Sequence, residues 1–97
     1  MSVKVYVRLF TTLRELAGKR EETLEFDARI VTVEDVLKEL TGRYGKEFKE
    51  YLYNDKQMVR GYLQLLVNGK SVELLERIKT RLKEGDEVAI VPPVGGG

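Results

Sequence analysis

The stretch GDEVAIVPPVGGG, residues 85–97, decides the fold of this chain. Gly85-Asp86 is typical of a turn, and the apolar residues after it predict a strand over Glu87–Val91. Pro92 and Pro93 cannot donate backbone hydrogen bonds, so strand pairing should stop there. The glycines at the end of the sequence bury nothing and lose more backbone entropy on ordering than other residues. Such a chain terminus either has no function or serves a function that requires a narrow terminus without side chains.

Three further strands are predicted from residues that alternate between apolar and polar. Their apolar members are Val3, Val5, Val7 and Leu9 in the first strand, Leu24 and Phe26 in the second, and Leu63, Leu65 and Val67 in the third. Asn68-Gly69 supplies the two positive-φ positions of a tight hairpin turn that leads into residues 70–72. The apolar set of each strand is expected to face one core.

The main helix is predicted to begin at Thr32, whose hydroxyl can cap it, with Asp35 at the third helical position completing a capping box. Val31 and Val36 are spaced as a hydrophobic staple around this start. The apolar stripe of the helix consists of Val33, Val36, Leu37, Leu40 and Tyr44. Helical spacing places this stripe on one face, which should pack against the sheet, and Gly42 or Gly45 should end the helix.

Two shorter helical segments are also expected. The first has Leu13, Leu16 and Ala17 on one side, is capped by Thr11 or Thr12, and ends at Gly18. The second is a short apolar turn that contains Phe48, Tyr51 and Leu52.

This order of elements predicts an α+β architecture in which a mixed sheet of four or five strands packs on one main helix. The first strand is placed at the centre, antiparallel to the second and parallel to the last. The tail would then leave a rigid platform instead of a frayed edge.

The composition excludes several functional classes. The 97 residues are 42% hydrophobic and 34% charged, which is typical of one globular domain. There are 17 basic and 16 acidic residues, and charge runs such as Lys19-Arg20 before Glu21-Glu22 cancel locally, so no nucleic-acid binding is expected. Cysteine and histidine are absent, so we predict no thiolate nucleophile and no metal site.

The sequence shows no recognisable targeting signal. The opening MSVKVYV lacks the layout of a signal peptide, and no apolar run approaches the ~20 residues that span a bilayer. A cytoplasmic protein without membrane contact is expected.

Taken in order, these motifs resemble the β-grasp sulfur carriers of the ubiquitin-like superfamily. The resemblance is closest to the small subunit of molybdopterin synthase (MoaD type) and extends more distantly to the thiazole-forming carrier (ThiS type). It covers the chain nearly end to end, and its motifs are LFTTLRELAG (9–18), TVEDVLKEL (32–40), LLVNGKSV (65–72) and LKEGDEVAIVPPVGGG (82–97). It implies a β-grasp domain over residues 1–93 and a flexible glycine tail over residues 94–97.

The resemblance also implies a chemistry for the chain end. A ubiquitin-activating-type adenylyltransferase would use ATP to convert the Gly97 carboxyl into an acyl adenylate, and a sulfur donor would then form a thiocarboxylate. Gly97 would carry the sulfur, and Gly96 would let the chain pass into a narrow pocket. The docking stalk would be formed by Pro92, Pro93, Val94 and Gly95. Gly95 stands where the family has a variable residue before its final Gly-Gly.

The protein would bind no cofactor and would not be catalytic alone. The large subunit of molybdopterin synthase would complete the active site, in a heterotetramer. Docking is expected to use the sheet face opposite the helix, where Tyr6, Arg8, Phe10 and Leu66 would form an apolar patch with a basic edge.

Other functions stay open at this point. The same activated terminus could be joined to lysine side chains, as in ubiquitin-like modifiers, or could carry sulfur to a thiazole precursor or to transfer RNA. A plain β-grasp binding module would work unchanged without Gly96-Gly97. Residues 47–62 are longer and more polar than the family pattern requires, which could alter the choice of partner.

Several residues are interpreted without a function. Glu21-Glu22 and Glu34-Asp35 are expected to be solvated or to lie at a helix start, where acidic side chains are favoured. Asn68-Gly69 and Gly85-Asp86 are interpreted as turn residues alone.

Overall fold

The computed structural model describes residues 2–93, which form seven strands and three α-helices. The strands are β1 (Val3–Leu9), β2 (Glu21–Phe26), β3 (Val31–Thr32), β4 (Gln64–Val67), β5 (Lys70–Ser71), β6 (Arg81–Leu82) and β7 (Glu87–Val91). The helices are α1 (Thr11–Ala17), α2 (Val33–Tyr44) and α3 (Lys46–Leu52), and two short 3₁₀ turns lie at Val72–Leu74 and Arg77–Lys79. In this described part of the chain, no helix is long and apolar enough to cross a membrane.

Five strands form the main sheet in the order β2-β1-β7-β4-β5. As predicted, β1 is antiparallel to β2 and parallel to β7. The middle position, however, belongs to β7 and not to β1, because β4 and β5 add a hairpin on the far side of β7. The predicted α+β class and mixed sheet are therefore confirmed, with the centre shifted by one strand.

The covered face of this sheet packs on α2. The predicted stripe is confirmed, since Val33, Val36, Leu37 and Leu40 are fully buried; Tyr44, its last member, is half-buried. The capping box is also present: the backbone N–H of Asp35 donates to Thr32 Oγ1 at 3.3 Å, and the backbone N–H of Thr32 donates to Asp35 Oδ2 at 2.9 Å. The helix ends at Gly45, with φ 87°, and not at Gly42. These contacts fix the position of α2 against the strands.

The start of α1 differs from the prediction. Phe10 occupies the N-cap position, and no side chain in the described part of the chain caps this helix, so the assignment to Thr11 or Thr12 is wrong. The Phe10 carbonyl instead accepts from the N–H groups of Leu13 and Arg14 at 3.1 and 3.3 Å. Gly18 ends the helix in the left-handed conformation, as predicted. Burial of Leu13 therefore holds α1 in place without a cap.

Residues 46–62 form a defined structure. In α3, Phe48 and Leu52 are fully buried, and the Phe48 ring lies 5.2 Å from the Tyr44 ring between centroids. After α3 the chain folds back, and the Arg60 guanidinium donates to the Glu50 carbonyl from Nε and Nη2 at 3.1 and 3.0 Å. This contact satisfies a carbonyl that the end of a helix leaves without a partner.

A second sheet of two short strands was not predicted. It pairs β3 with β6, with Val31 opposite Leu82 and Thr32 opposite Arg81. Strands of two residues are too short to show an alternating pattern, so the sequence carries little signal for them. The pair ties the start of α2 to the segment that precedes β7.

Candidate functional site

The base of the tail lies at the end of β7, the middle strand of the main sheet. The last paired residues of β7 are Ile90, opposite Leu9 of β1, and Val91, opposite Gln64 of β4. Pro92 and Pro93 follow outside any strand, as predicted, and Pro93 is exposed. The chain therefore leaves the sheet with hydrogen-bonded strands on both sides of its last paired residues. The predicted roles of Val94, Gly95, Gly96 and Gly97 fall outside the described residues.

The opposite end of β7 is held by a network of side-chain hydrogen bonds. Asn68 Nδ2 donates to Asp86 Oδ1 at 3.0 Å, and Asn68 Oδ1 accepts from the Glu87 N–H at 2.9 Å. Asp86 Oδ2 accepts from the Lys83 N–H at 2.7 Å, and Asp86 is only 7% exposed. Asn68 and Asp86 thus do more than form turns: they join the β4–β5 turn to the start of β7. This network therefore fixes the start of β7, the strand that carries the tail at its other end.

Three of the four candidate docking residues lie on the uncovered face of the sheet, as predicted. Tyr6 and Arg8 belong to β1, and Leu66 belongs to β4. Ala89 of β7 pairs with both Arg8 and Leu66, so it lies between them in one row across the sheet. The sequence analysis did not name Ala89, although the alternation along Glu87–Val91 would have placed it on this face.

The fourth candidate, Phe10, lies just beyond β1. It is 36% exposed. Because Leu9 pairs with Ile90, the position after Leu9 lies beside the end of β7 and the base of the tail. The structure therefore brings Phe10 close to the exit point of the tail instead of placing it in the middle of the sheet.

The basic edge expected at Arg8 is not a lone positive charge. Arg8 Nε lies 3.2 Å from a Glu87 carboxylate oxygen and 3.9 Å from a Glu21 carboxylate oxygen. Both carboxylates are well exposed, so each pair contributes little to stability. They do reduce the positive charge that Arg8 presents to a partner.

One titratable cluster lies away from the tail. Glu22 was expected to be solvated, and this was wrong: it is 8% exposed and accepts a hydrogen bond from the Tyr44 hydroxyl. Lys19 Nζ and Arg43 Nη1 lie 3.5 and 3.4 Å from Glu22 Oε2. The four side chains connect β2 and the loop before it to the last turn of α2.

The pKa values of this cluster follow from its contacts. Burial by itself raises the pKa of Glu22, but the Tyr44 hydrogen bond and the charges of Lys19 and Arg43 outweigh burial and hold the pKa below its usual value. Burial, followed by the hydrogen bond to Glu22, raises the pKa of Tyr44 to about 12. A carboxylate that is held ionised and paired is suited to fastening two elements and unsuited to proton transfer.

Comparison with known proteins agrees with this geometry. The sequence profile of the ThiS family matches residues 7–97. The chain belongs to the ThiS family. The match includes β7, the two prolines and the terminal glycines, so the feature that decided the fold in the sequence belongs to the family pattern.

Two relatives of this ThiS-family protein carry different names. The small archaeal modifier protein 3 of Haloferax volcanii is 34% identical over 95 residues, which cover 98% of this chain and 100% of the relative. The molybdopterin synthase sulfur carrier subunit of Drosophila melanogaster is 34% identical over 96 residues, covering 98% of this chain and 92% of the relative. The ThiS-family protein is thus a member of a group of sulfur carriers and small protein modifiers.

A solved structure confirms the predicted ubiquitin-like β-grasp fold of the ThiS-family protein. The solution structure of the small archaeal modifier protein 1 from Methanosarcina acetivorans superposes with a TM-score of 0.84 at 35% identity. The superposition covers 100% of this chain and 99% of the other.

Proposed function

We propose that this protein is a cytoplasmic sulfur carrier that serves as the small subunit of a molybdopterin synthase. The observation that carries the proposal is the position of β7, which runs through the middle of the sheet and leads directly to the prolines and glycines. The name of the Drosophila relative supports the choice of synthase. In this function the folded domain is the part that partner proteins bind, and the terminal carboxyl is the reacting group.

The first chemical step activates the terminus. A free carboxylate resists nucleophiles because resonance and negative charge both oppose attack. In the proposed step, a ubiquitin-activating-type adenylyltransferase lets the Gly97 carboxylate attack the α-phosphorus of ATP, which releases pyrophosphate and leaves an acyl adenylate. In this acyl adenylate, AMP is a good leaving group, so the Gly97 carbonyl can be attacked by a nucleophile.

The second step installs sulfur. A sulfide-level donor attacks the Gly97 carbonyl, AMP leaves, and the terminus becomes a thiocarboxylate after loss of a proton. No cysteine of this chain is required, since the sulfur is held on the chain end itself. The large subunit of the synthase would then receive the tail and complete the active site, in a heterotetramer.

The tail is suited to reaching into such sites. Residues 92–97, if extended, reach about 20 Å from the end of β7, at ~3.3 Å per residue. A Cβ at Gly96 or Gly97 would widen the chain and restrict its φ, whereas Pro92 and Pro93 limit the conformations that must be lost on docking. The sequence therefore predicts a restricted backbone at Pro92-Pro93 and a chain end without side chains at residues 95–97.

Intact mass spectrometry tests the proposal directly. The protein, with Gly97 as its last residue, is incubated with its cognate adenylyltransferase, ATP and sulfide. We expect one terminal oxygen to be replaced by sulfur, localised to Gly97. A control protein with a serine appended after Gly97 should stay unmodified. An unchanged mass, with an adenylyltransferase proven active on another carrier, contradicts the proposal.

A second candidate function is conjugation to other proteins. It is favoured by the 34% identity to a Haloferax volcanii protein that is named as a small modifier. The same activated Gly97 would then form an isopeptide bond with a lysine amine, with AMP as the leaving group. A ladder of lysine-linked conjugates in cells, lost when Gly97 is blocked, supports this function; a thiocarboxylate without conjugates supports sulfur carriage.

A further inference from the structure

A pocket of about 290 Å³ lies at the corner where β1 passes into α1. It is lined by Arg8, Leu9, Phe10, Arg14, Arg20 and Glu21. Three arginines therefore surround one partly exposed aromatic ring, with a single carboxylate among the lining residues. Arg14 comes from α1, and Arg20 comes from the residue before β2, so these side chains meet only in the folded protein.

The arginines of this pocket are not equally neutralised. Arg8 is paired with Glu21 and Glu87, whereas within residues 2–93 neither Arg14 nor Arg20 has a carboxylate partner. The sequence predicted that Lys19-Arg20 would be cancelled by Glu21-Glu22. In the fold, Lys19 pairs with Glu22 and Glu21 turns to Arg8, so the charge of Arg20 is left over.

The pocket lies next to the end of β7, where the chain leaves the sheet. Phe10 follows Leu9, whose partner across the sheet is Ile90, and Pro92, the first residue beyond the sheet, comes two residues after Ile90. A protein that docks where the chain leaves the sheet therefore comes close to Phe10 and to the arginines beside it. Continuity with Tyr6, Leu66 and Ala89 on the uncovered face extends this contact surface away from the corner.

We propose that this pocket docks an acidic segment of the activating adenylyltransferase, with carboxylates paired to Arg14 and Arg20 and an apolar side chain against Phe10. The identity of the partner rests on the function proposed above. Guanidinium groups match carboxylates with two parallel hydrogen bonds, and their charge accelerates encounter with an acidic surface. Arg14 and Arg20 are docking residues here and take no part in the chemistry.

A protein partner fits the pocket better than a nucleic acid. Arg8 is already paired with Glu21 and Glu87, so few unpaired cationic side chains remain at the pocket to neutralise a run of phosphates. The chain as a whole has a net charge of only +1, which gives little of the sequence-independent attraction that nucleic-acid binding needs. Two unpaired arginines on a balanced surface are instead typical of a local, complementary contact.

The test measures association with the adenylyltransferase at low and at physiological salt. The double substitution Arg14→Glu/Arg20→Glu should slow association about tenfold or more at low salt and remove most of its salt dependence. Arg29→Glu is the matched control. Arg29→Glu makes the same charge change as Arg14→Glu or Arg20→Glu alone, so it is compared with each single variant. Arg29 lies at an exposed position three residues past β2, at the far end of the sheet, and its variant should associate like wild type, whereas each single variant at the pocket should associate more slowly.

The outcomes separate this inference from the proposed function. If wild type gains sulfur at Gly97 but the double variant associates like Arg29→Glu, the acidic docking site is wrong and the carrier function stands. If wild type gains no sulfur, the proposed function itself fails. Should Arg14 and Arg20 instead control binding to an RNA hairpin, with enzyme association unaffected, the pocket is a phosphate site and the inference is overturned.

A neutral double variant is used if the charge-reversed protein does not fold properly. If Arg14→Glu/Arg20→Glu has a lowered Tm, Arg14→Gln/Arg20→Gln replaces it, because both side chains are exposed and glutamine preserves helix propensity. The neutral pair should lose the salt dependence with a smaller reduction in association rate. A neutral pair that keeps the wild-type rate and salt dependence contradicts the inference.

Discussion

The start of β7 is held by Asn68, Asp86 and Lys83, whose polar groups are joined by hydrogen bonds of 2.7 to 3.0 Å. At the other end of the same strand, Pro92 and Pro93 lie outside the sheet and carry no backbone N–H to pair. The difference separates two tasks along one strand. Changes at the start should alter stability, and changes at the end should alter activity.

The largest expected effect is at the tail. Deletion of Gly96-Gly97 should abolish function in cells that lack the natural protein, because the reacting carboxyl would no longer reach its sites. The Tm should stay that of wild type, since these residues contribute no buried side chain. Complementation growth and a thermal melt check the two halves of this prediction. A truncated protein that restores growth contradicts the division of tasks.

The opposite pattern is expected at the start of β7. Asp86→Ala should lower the free energy of unfolding by about 2 to 3 kcal/mol, because the Asn68 amide and the Lys83 N–H lose their acceptor near a buried position. Urea unfolding measures this loss. Asp55→Ala is the matched control, as Asp55 is exposed and its side chain makes no hydrogen bond within residues 2–93. Sulfur loading per folded molecule should be unchanged in both variants.

The Glu22 cluster lies outside β7, and changes in it should alter stability without altering activity. Tyr44→Phe removes the hydroxyl that donates to Glu22 and should cost about 1.5 to 2 kcal/mol near neutral pH. Tyr62→Phe, which changes an exposed hydroxyl, should cost nothing measurable. Chemical unfolding of the three proteins gives the comparison.

The same cluster predicts a pH dependence. The folded-state pKa of Glu22 lies below 4.5, so its stabilisation is complete above pH 4.5 and is lost as pH falls through the lowered value. The folded-state pKa of Tyr44 is about 12 against 10.0 unfolded, so its stabilisation is complete below pH 10.0 and is lost as pH rises towards 12. The stability difference between wild type and Tyr44→Phe should therefore shrink at both extremes. A difference that is constant from pH 3 to 11 would rule out this account.

A smaller effect is expected on the uncovered face. Phe10→Glu should weaken binding to the adenylyltransferase about tenfold, or about 1.4 kcal/mol, while the protein remains folded. Met58→Glu serves as the control, since Met58 is an exposed apolar residue on the segment after α3. Equal affinities for the two variants, measured by isothermal titration calorimetry, would remove Phe10 from the docking surface.

Much of the fold could be predicted because its signals are local. The alternation in β1, the capping box of Thr32 and Asp35, and the Asn68-Gly69 turn each depend on residues within a few positions of one another. One error was local, the cap of α1, where Phe10 and not Thr11 or Thr12 takes the N-cap position. The other errors arose where residues distant in the sequence decide. The buried Glu22 accepts a hydrogen bond from Tyr44, 22 positions away, and β7 takes the middle of the sheet because the β4–β5 hairpin adds beyond it.

The candidate site shows the same division. Pro92 and Pro93 could be assigned from the sequence, because proline cannot donate a backbone hydrogen bond to a neighbouring strand. Arg14 and Arg20 could not, since their separation from any carboxylate depends on which way Glu21 and Glu22 turn after folding. A run of alternating charges predicts overall balance and leaves open which charge stays unpaired.

The pairing of β7 on both sides has a mechanical consequence. In the proposed function an enzyme would draw the tail into its active site, and the load would pass into a strand that is bonded to β1 and β4 at once. The hydrogen bonds of both ladders then resist in shear, together, where an edge strand would peel away bond by bond. In an optical trap, unfolding the protein by pulling on its C-terminus should therefore require a higher force than unfolding it by pulling on β5. The domain would then stay folded while its terminus reacts.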